Sequence, residues 1–240
     1  MKRYIIYIKG LLLFAFVMFL YGFSSFRNQA HKIKDLNINF KNGDNLFITY
    51  ETVDKLLIQK FDRLKSQPKE NIFLKEVEET LLSNEMIAKA EVFLTVNGEL
   101  DVVIKQKTPI ARVNQGSEMY YIDSEGGKMP LSSNYSARVP IINGIYDAKI
   151  SKELFQLVTL IYNDDFLKKQ IISIKQTPKK EFFLQTRIGN QRIELGTLNK
   201  IDIKIKKLKA FYNKAIKDNT LGQYRKINLM YNKQVVATKN

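Results

Sequence analysis

Residues 90–104 read AEVFLTVNGELDVVI. Ala90–Val96 and Glu99–Ile104 each alternate with a period of two, the spacing of a half-buried strand. Asn97-Gly98 joins them. Asn-Gly between two alternating runs is the strongest short-range hairpin signal, because a type I′ turn needs positive φ at both central residues. The stretch therefore predicts two antiparallel strands, with Val92, Leu94, Val96, Leu100, Val102 and Ile104 as candidate core.

Upstream of the hairpin, Leu36-Asn37-Ile38-Asn39-Phe40 also alternates and reads as a strand, followed by a turn at Asn42-Gly43-Asp44-Asn45. Val53, Leu56, Leu57, Phe61 and Leu64 then share one helical face, with Thr49 or Thr52 as the N-cap. Ser66-Gln67-Pro68 breaks that helix. Ile72, Leu74, Val77, Leu81 and Leu82 mark a second helix ending near Asn84. The order is strand, helix, helix, strand, strand. Residues 33–113 thus read as one module, long enough for a two-layer α+β domain.

Further upstream, residues 4–23 read YIIYIKGLLLFAFVMFLYGF. About 20 apolar residues cross a bilayer core as a helix. Lys9 can snorkel to the headgroups, and Tyr4, Tyr7 and Tyr21 sit near the two ends, where amphipathic rings prefer the interface. A cleaved signal peptide is the alternative. The apolar run is long for one, however, and Ser24-Ser25-Phe26-Arg27 offers no A-x-A-like site. The reading is a single-pass anchor with residues 1–3 as a cytoplasmic tail. The basic residues on its two sides, Lys2, Arg3 and Lys9 against Arg27, Lys32 and Lys34, nearly balance.

Downstream, Met119–Asp123 reads as a strand, with a turn at Ser124-Glu125-Gly126-Gly127, and Val139–Gly144 is apolar and punctuated. Ser151 caps a helix whose stripe is Leu154, Leu157, Val158 and Ile161. Ile171–Lys175, Phe182–Ile188 and Gln191–Leu195 look like strands. A lysine-rich amphipathic helix follows, with Leu198, Ile201, Ile205, Leu208, Phe211 or Tyr212, and Ala215 facing in. The chain closes with a strand over Arg225–Tyr231 and a tail, Gln234–Ala237. Residues 119–240 form a second, β-rich module with two helices, so the whole is α+β.

Composition removes most catalytic chemistry. The 240 residues contain no cysteine and one histidine, His31. Disulfides, thiolate metal sites and cysteine nucleophiles are excluded together, and with His31 just past the anchor no Ser-His-Asp triad is expected. There is no G-x-G-x-x-G, P-loop lysine or G-x-S-x-G elbow, and Gly126-Gly127 reads as a turn. Glu78-Glu79 and Asp164-Asp165 are acidic pairs without a third ligand at calcium-loop spacing. No catalytic, cofactor-binding or metal-ligating residue is expected, and a cell-wall hydrolase is disfavoured because nothing positions its carboxylates. The net charge is +15, or +12 without Lys2, Arg3 and Lys9 (36 basic against 24 acidic). Nucleic acid is not the expected partner, because the dense run Lys200–Lys217 alternates with an apolar stripe and reads as a solvated helix face. Attraction to anionic lipid or to an acidic partner stays open.

Four local stretches carry a family resemblance. Val103–Ala111, VIKQKTPIA, resembles V-x-E-x-x-P-x-A, with Gln106 in the glutamate position. Tyr121–Gly126 resembles a y-l-v-D-x-x-G strand and turn, and Val139–Gly144 resembles l-P-x-l-x-G. Tyr224–Tyr231, YRKINLMY, resembles y-x-x-I-D-L-R-Y, with Asn228 for Asp and Met230 for Arg. Behind an anchor, this order resembles the FtsQ/DivIB cell-division proteins, and the first module resembles their POTRA domain.

The resemblance implies a non-enzymatic divisome scaffold in the inner membrane at the division septum. Its N-terminus would be cytoplasmic and its body periplasmic. It would link early division proteins to the septal peptidoglycan synthase complex through FtsB-like and FtsL-like coiled-coil partners. The family's terminal strand pairs with the FtsB partner, as an open strand edge allows. Carried onto this chain, the partner-binding residues are Lys226, Ile227, Asn228, Leu229, Met230 and Tyr231, extended by Val235 and Val236. Which alternate set faces the core is left open, because a one-residue slip swaps them. The alternative is a membrane-anchored POTRA-type chaperone that hands substrates to an outer-membrane assembly. Such modules usually come in tandem before a barrel, and one is visible.

Overall fold

The computed structural model describes residues 2–29, 33–41, 45–61, 73–116, 118–144 and 151–240. Most of the turn expected at 42–45, the break at 66–68, Leu64, Ile72 and His31 lie outside the described residues. Lys2–Gln29 is a single 28-residue helix, α1. At ~1.5 Å per residue it is about 42 Å long, more than a hydrocarbon core of ~30 Å requires. Its segment Tyr7–Ser24 is apolar and long enough to cross a membrane, and none of it is buried against protein. The chain divides into two compact units, 1–106 and 107–240.

In the first unit, β1 (Asp35–Phe40) is followed by α2 (Tyr50–Phe61), α3 (Leu74–Leu82), β2 (Ile87–Leu94) and β3 (Glu99–Gln106). The strands lie in the order β1-β3-β2. β1 runs parallel to β3, with Leu36 opposite Leu100 and Ile38 opposite Val102. Parallel neighbours need a crossover, which the two helices supply. Thr49 caps α2, its Oγ1 accepting from the Thr52 N–H at 3.3 Å. Val53, Leu57, Val77 and Leu81 bury their faces of the helices against Leu100, Val102 and Ile104. Each such side chain contributes roughly 1.5–3 kcal/mol of burial.

Two details of the hairpin differ from expectation. Only Gly98 has positive φ (91°); Asn97 does not. The Gly98 N–H donates to the Thr95 carbonyl at 3.0 Å, and the Thr95 N–H donates to that of Glu99 at 2.8 Å. The loop is therefore a turn centred on Val96 and Asn97, followed by a glycine in the left-handed region, rather than a two-residue I′ turn. The longer loop carries Val96 out of the strand, and this expected core residue is 99% exposed.

Gln106 closes the unit. Its buried Oε1 accepts from the N–H groups of Phe47 (2.9 Å) and Ile48 (3.3 Å), and its Nε2 donates to the Ile48 carbonyl at 3.3 Å. The amide thus clips the segment before α2 onto the end of β3.

The second unit contains β4 (Pro109–Gln115), β5 (Glu118–Asp123), β6 (Lys128–Met129), β7 (Ile141–Asn143), α4 (Lys152–Asn163), α5 (Asp165–Gln170), β8 (Ile171–Gln176), β9 (Phe182–Thr186), β10 (Arg192–Gly196), α6 (Ile201–Lys217), β11 (Tyr224–Asn228) and β12 (Val236–Lys239). They build a nine-stranded sheet, β12-β11-β10-β9-β8-β7-β4-β5-β6. β4 pairs with β5 and β7 in this sheet. The first module therefore ends at Gln106 rather than Val113. Ile110, Ala111 and Val113 are buried in the core of this second unit, which no local pattern could show.

The stripes of α4 (Leu154, Leu157, Val158, Ile161) and α6 (Ile205, Leu208, Tyr212) meet Ile174, Phe182, Leu184, Ile193 and Ile227 in one core. Ser151 caps α4 as expected, its Oγ accepting from the Leu154 N–H at 3.2 Å. The short α5 adds a third helix to the two expected. Asp164 caps it, Oδ1 accepting from the N–H groups of Phe166 and Leu167, both at 3.1 Å. Lys209 of α6 pairs with Asp164 Oδ2 at 2.5 Å. Burial opposes ionisation of this carboxyl, but Lys209 and the two N–H donors together hold it below the ordinary aspartate value.

The D-x-x-G turn is built by buried Asp123, whose Oδ1 accepts from the Glu125 N–H (2.9 Å) and the Gly127 N–H (2.8 Å). A Cβ on Gly127 would stand 2.8 Å from Asp123 Oδ2, so this glycine gives the carboxylate its room. Tyr212 pins α6 to the sheet: its hydroxyl donates to Gln191 Oε1 at 2.5 Å, and Gln191 Nε2 donates to the Leu221 carbonyl at 2.7 Å. Burial pushes the Tyr212 phenol above its ordinary value.

Candidate partner-binding edge

The strand expected to offer an open edge does not lie at one. β11 ends at Asn228 and sits inside the sheet, parallel to β10 on one side and antiparallel to β12 on the other. The tail folds back, and Val236–Lys239 takes up the second set of β11 backbone groups. Leaving those donors and acceptors unpaired beside a packed core would cost free energy, whereas a β-branched tail pairs readily. The terminal strand of the sheet is therefore β12, and among the described residues no strand pairs with its outer side.

The eight expected contact residues separate by environment. Ile227 and Leu229 are wholly buried in the core with α6, out of reach of any partner. Lys226 and Asn228 point to the other face of the sheet, where both engage Glu194 of β10. Lys226 Nζ lies 2.8 Å from Glu194 Oε1. Asn228 Nδ2 donates to Glu194 Oε2 at 2.8 Å, and its Oδ1 accepts from the Met230 N–H at 2.9 Å. Val235 is half-buried and packs against the core. Met230 (46%), Tyr231 (52%) and Val236 (38%) are exposed.

The connection from β11 to β12 is held in place from below. The Leu229 N–H donates to the Glu194 carbonyl at 2.9 Å. Lys207 Nζ on α6 donates to the carbonyls of Tyr231 (2.6 Å) and Asn232 (3.4 Å). Gly196 has φ +67°, and a Cβ there would stand 2.9 Å from Met230 Cγ, so the strand end and the Met230 side chain fit only with glycine. These contacts hold Met230 and Tyr231 as a fixed apolar rim. With Ile203, Lys200, Lys204 and Lys207 they line a recess of about 350 Å³. Lys204 donates to the carbonyls of Leu195 (2.8 Å) and Thr197 (2.7 Å), and burial, then neighbouring Lys207, hold its ammonium below the usual lysine value.

The charge of this edge is one-sided. From Asn219 to Asn240 the chain has Arg225, Lys226, Lys233 and Lys239 and no Asp or Glu. Glu194, the nearby carboxylate, is already paired with Lys226. An extended segment pairing with β12 would find backbone donors and acceptors, an apolar rim and a cationic surround. The sequence reading missed Ala237, Thr238 and Lys239 as a strand, and Lys207 as its support. The run Val235-Val236-Ala237-Thr238 carried a β-branched signal. The Lys207 contact had none, because it joins elements 24 residues apart.

In the first unit, β1 and β2 are the sheet ends. β2 is guarded: its Val92 N–H donates to Glu78 Oε1 of α3 at 3.0 Å. A side chain bonded to an edge amide competes with an incoming strand. No group of three or more His, Cys, Asp or Glu able to hold a metal occurs among the described residues.

Residues 108–238 match the family model described as FtsQ/DivIB, C-terminal related. Residues 31–105 match the model of a POTRA-like domain. No curated protein matches the chain.

Proposed function

The chain belongs to the FtsQ/DivIB C-terminal related family, and from that premise we propose that it is a non-enzymatic scaffold of the bacterial division machinery whose exported β unit receives an extended, acidic partner segment along β12. A division-associated role follows from the two family matches. The finer reading is that α1 anchors the protein in the inner membrane as a single pass, with the N-terminus cytoplasmic and the body periplasmic at the septum. FtsB-like and FtsL-like proteins are the partners, and through them the chain connects to the septal peptidoglycan synthase complex.

One observation carries the site: the nine-stranded sheet stops at a short exposed strand with an unpaired outer side, in a stretch with four basic residues and no acidic one. A partner strand completes the ladder by backbone pairing, and alternate side chains give specificity. Cationic surroundings speed encounter with an acidic segment and reject basic ones. The contact set shifts from the interior of β11 to Met230, Tyr231, Val236 and the rest of β12. Lys226 and Asn228 support it through Glu194. Guarding of the β2 edge by Glu78 favours β12 over β2 as the receiving surface.

The test is co-purification of the full chain from native membranes, with mass spectrometry of what accompanies it. It is run beside a Lys233→Glu/Lys239→Glu variant. Both lysines are exposed, so the fold is retained, which thermal denaturation checks. FtsB-like and FtsL-like proteins with the native chain, depleted from the variant, are the expected result. Equal recovery with both chains removes the β12 edge from the reading. Absence of such proteins from the native chain removes the partners.

A further inference from the structure

We propose that the tip of the β2–β3 hairpin is a lipid contact, with Val96 seated in the headgroup interface of the bilayer that α1 crosses. The proposal rests on the membrane-spanning reading of α1 given above. The side chain of Val96 is 99% exposed at the centre of a turn. Turns of this kind favour polar residues, Pro and Gly. The fold gains no burial from a valine there.

The second observation is where the chain arrives. The Lys34 N–H donates to the Gly98 carbonyl at 2.9 Å. One residue later Asp35 stands opposite Glu99, as β1 sets out parallel to β3. The tip and the arrival of the chain from the anchor are therefore at the same end of the three-stranded sheet. Chain length then bounds the distance. The apolar segment of α1 ends at Ser24 and the helix at Gln29; five residues at ~1.5 Å add about 7.5 Å. Five more residues reach Lys34, and even fully extended they add at most about 17 Å. The tip thus lies within about 25 Å of the hydrocarbon edge, and headgroups occupy the first ~5–7 Å of that. The far end of β3, eight residues away at Gln106, is about another 25 Å off.

The flanking chemistry suits the interface. Lys34 is exposed beside the tip. Basic residues close to the surface are drawn to anionic headgroups, while a small apolar side chain enters the acyl boundary. Asp35, the nearby carboxylate on β1, is turned back on its own strand, its Oδ1 accepting from the Leu36 N–H at 2.9 Å. Such a contact would limit tilting of the POTRA-like unit on its anchor.

The chain contains no cysteine, so a single introduced one takes a unique label. Full-length Val96→Cys and Lys105→Cys, each carrying an environment-sensitive fluorophore, are reconstituted in phosphatidylethanolamine–phosphatidylglycerol vesicles. Lys105 is exposed near the far end of β3. Spin-labelled lipid should quench the label at 96 about twofold more than the label at 105, as an interfacial residue requires. A label at Asn97, beside native Val96, should also be quenched, and Val96→Asp should relieve it. Equal quenching at 96 and 105 in vesicles that retain the protein through an alkaline wash overturns this proposal alone. Release by the wash overturns the anchor reading and this proposal with it.

Discussion

Asn228 Nδ2 donates to Glu194 Oε2 at 2.8 Å across the parallel pair β10–β11, while Lys226 Nζ holds the other carboxylate oxygen at 2.8 Å. The family pattern that Tyr224–Tyr231 resembles has aspartate in the position of Asn228. Here a carboxylate already occupies the facing strand and is nearly buried. An amide can donate to it, and a second carboxylate cannot. The substitution is therefore matched to its neighbour rather than a weakening of the terminal strand.

Asn228→Asp is expected to destabilise the β unit by about 1–3 kcal/mol, because two buried carboxylates would face each other. Glu194→Gln in the same chain should recover most of the loss. Urea denaturation of the four chains in a double-mutant cycle measures the coupling. Additive losses would mean that the pair does not interact.

Just past β11, the buried Leu229 and the exposed Tyr231 should respond differently. Leu229→Ala removes a wholly buried side chain and should cost about 2–5 kcal/mol, whereas Tyr231→Ala, at an exposed position, should change stability by less than about 0.5 kcal/mol. The partner capture assay should reverse the order, with Tyr231→Ala losing the partner while keeping its melting temperature. A large stability loss at Tyr231 would place it in the core instead.

Proline scanning of β12 reads which backbone groups are free. Neighbouring N–H groups on a strand point to opposite sides. Of Ala237→Pro and Thr238→Pro, one should lower the melting temperature by removing an inward bond to β11. The other should leave folding nearly unchanged and abolish partner capture. Two equal effects on stability would show that both sides of β12 are already paired.

In the POTRA-like unit, Gln106→Glu restores the residue that the family pattern carries. The carboxylate could still accept from the N–H groups of Phe47 and Ile48, but it would face the Ile48 carbonyl that Nε2 now serves. A loss of about 1–3 kcal/mol is expected from this repulsion in a buried site. It should shrink as the pH falls and the introduced carboxyl protonates. Unchanged stability at neutral pH would mean that the clip rearranges.

The Asp164–Lys209 pair predicts an acid dependence. The folded pKa of Asp164 lies below its unfolded value, so its stabilisation is present above the unfolded value, near 4. It is lost as the pH falls through the folded one. Asp164→Asn should flatten the acid limb of a stability–pH curve, while leaving the neutral region lower by its lost ion pair. An acid limb that does not change would mean that other carboxylates control it.

The element order of the first unit, the caps at Thr49 and Ser151, the α4 and α6 stripes and the family were legible in the sequence. Each depends on interactions within a few residues: alternation, helical spacing, a capping hydroxyl, a short motif. The limits of that reading are equally local. Val96 continued an alternating pattern, but the turn took one residue more than Asn-Gly suggests and left it in solvent. Residues 107–113 were placed with the first module, and the strand Pro109–Gln115 that pairs in the second sheet was not read. Pairing partners are chosen by the free energy of the assembled sheet, which no window of one strand contains.

The same division applies to the site. The sequence by itself determined that the C-terminal stretch is basic, β-prone and free of acidic residues, because composition survives any fold. Only the tertiary structure decided that β12 covers β11, that Ile227 and Leu229 are core, and that Glu194 meets Asn228. Those outcomes follow from pairing backbone groups that would otherwise stay unsatisfied, and from filling one core with side chains distant in the chain.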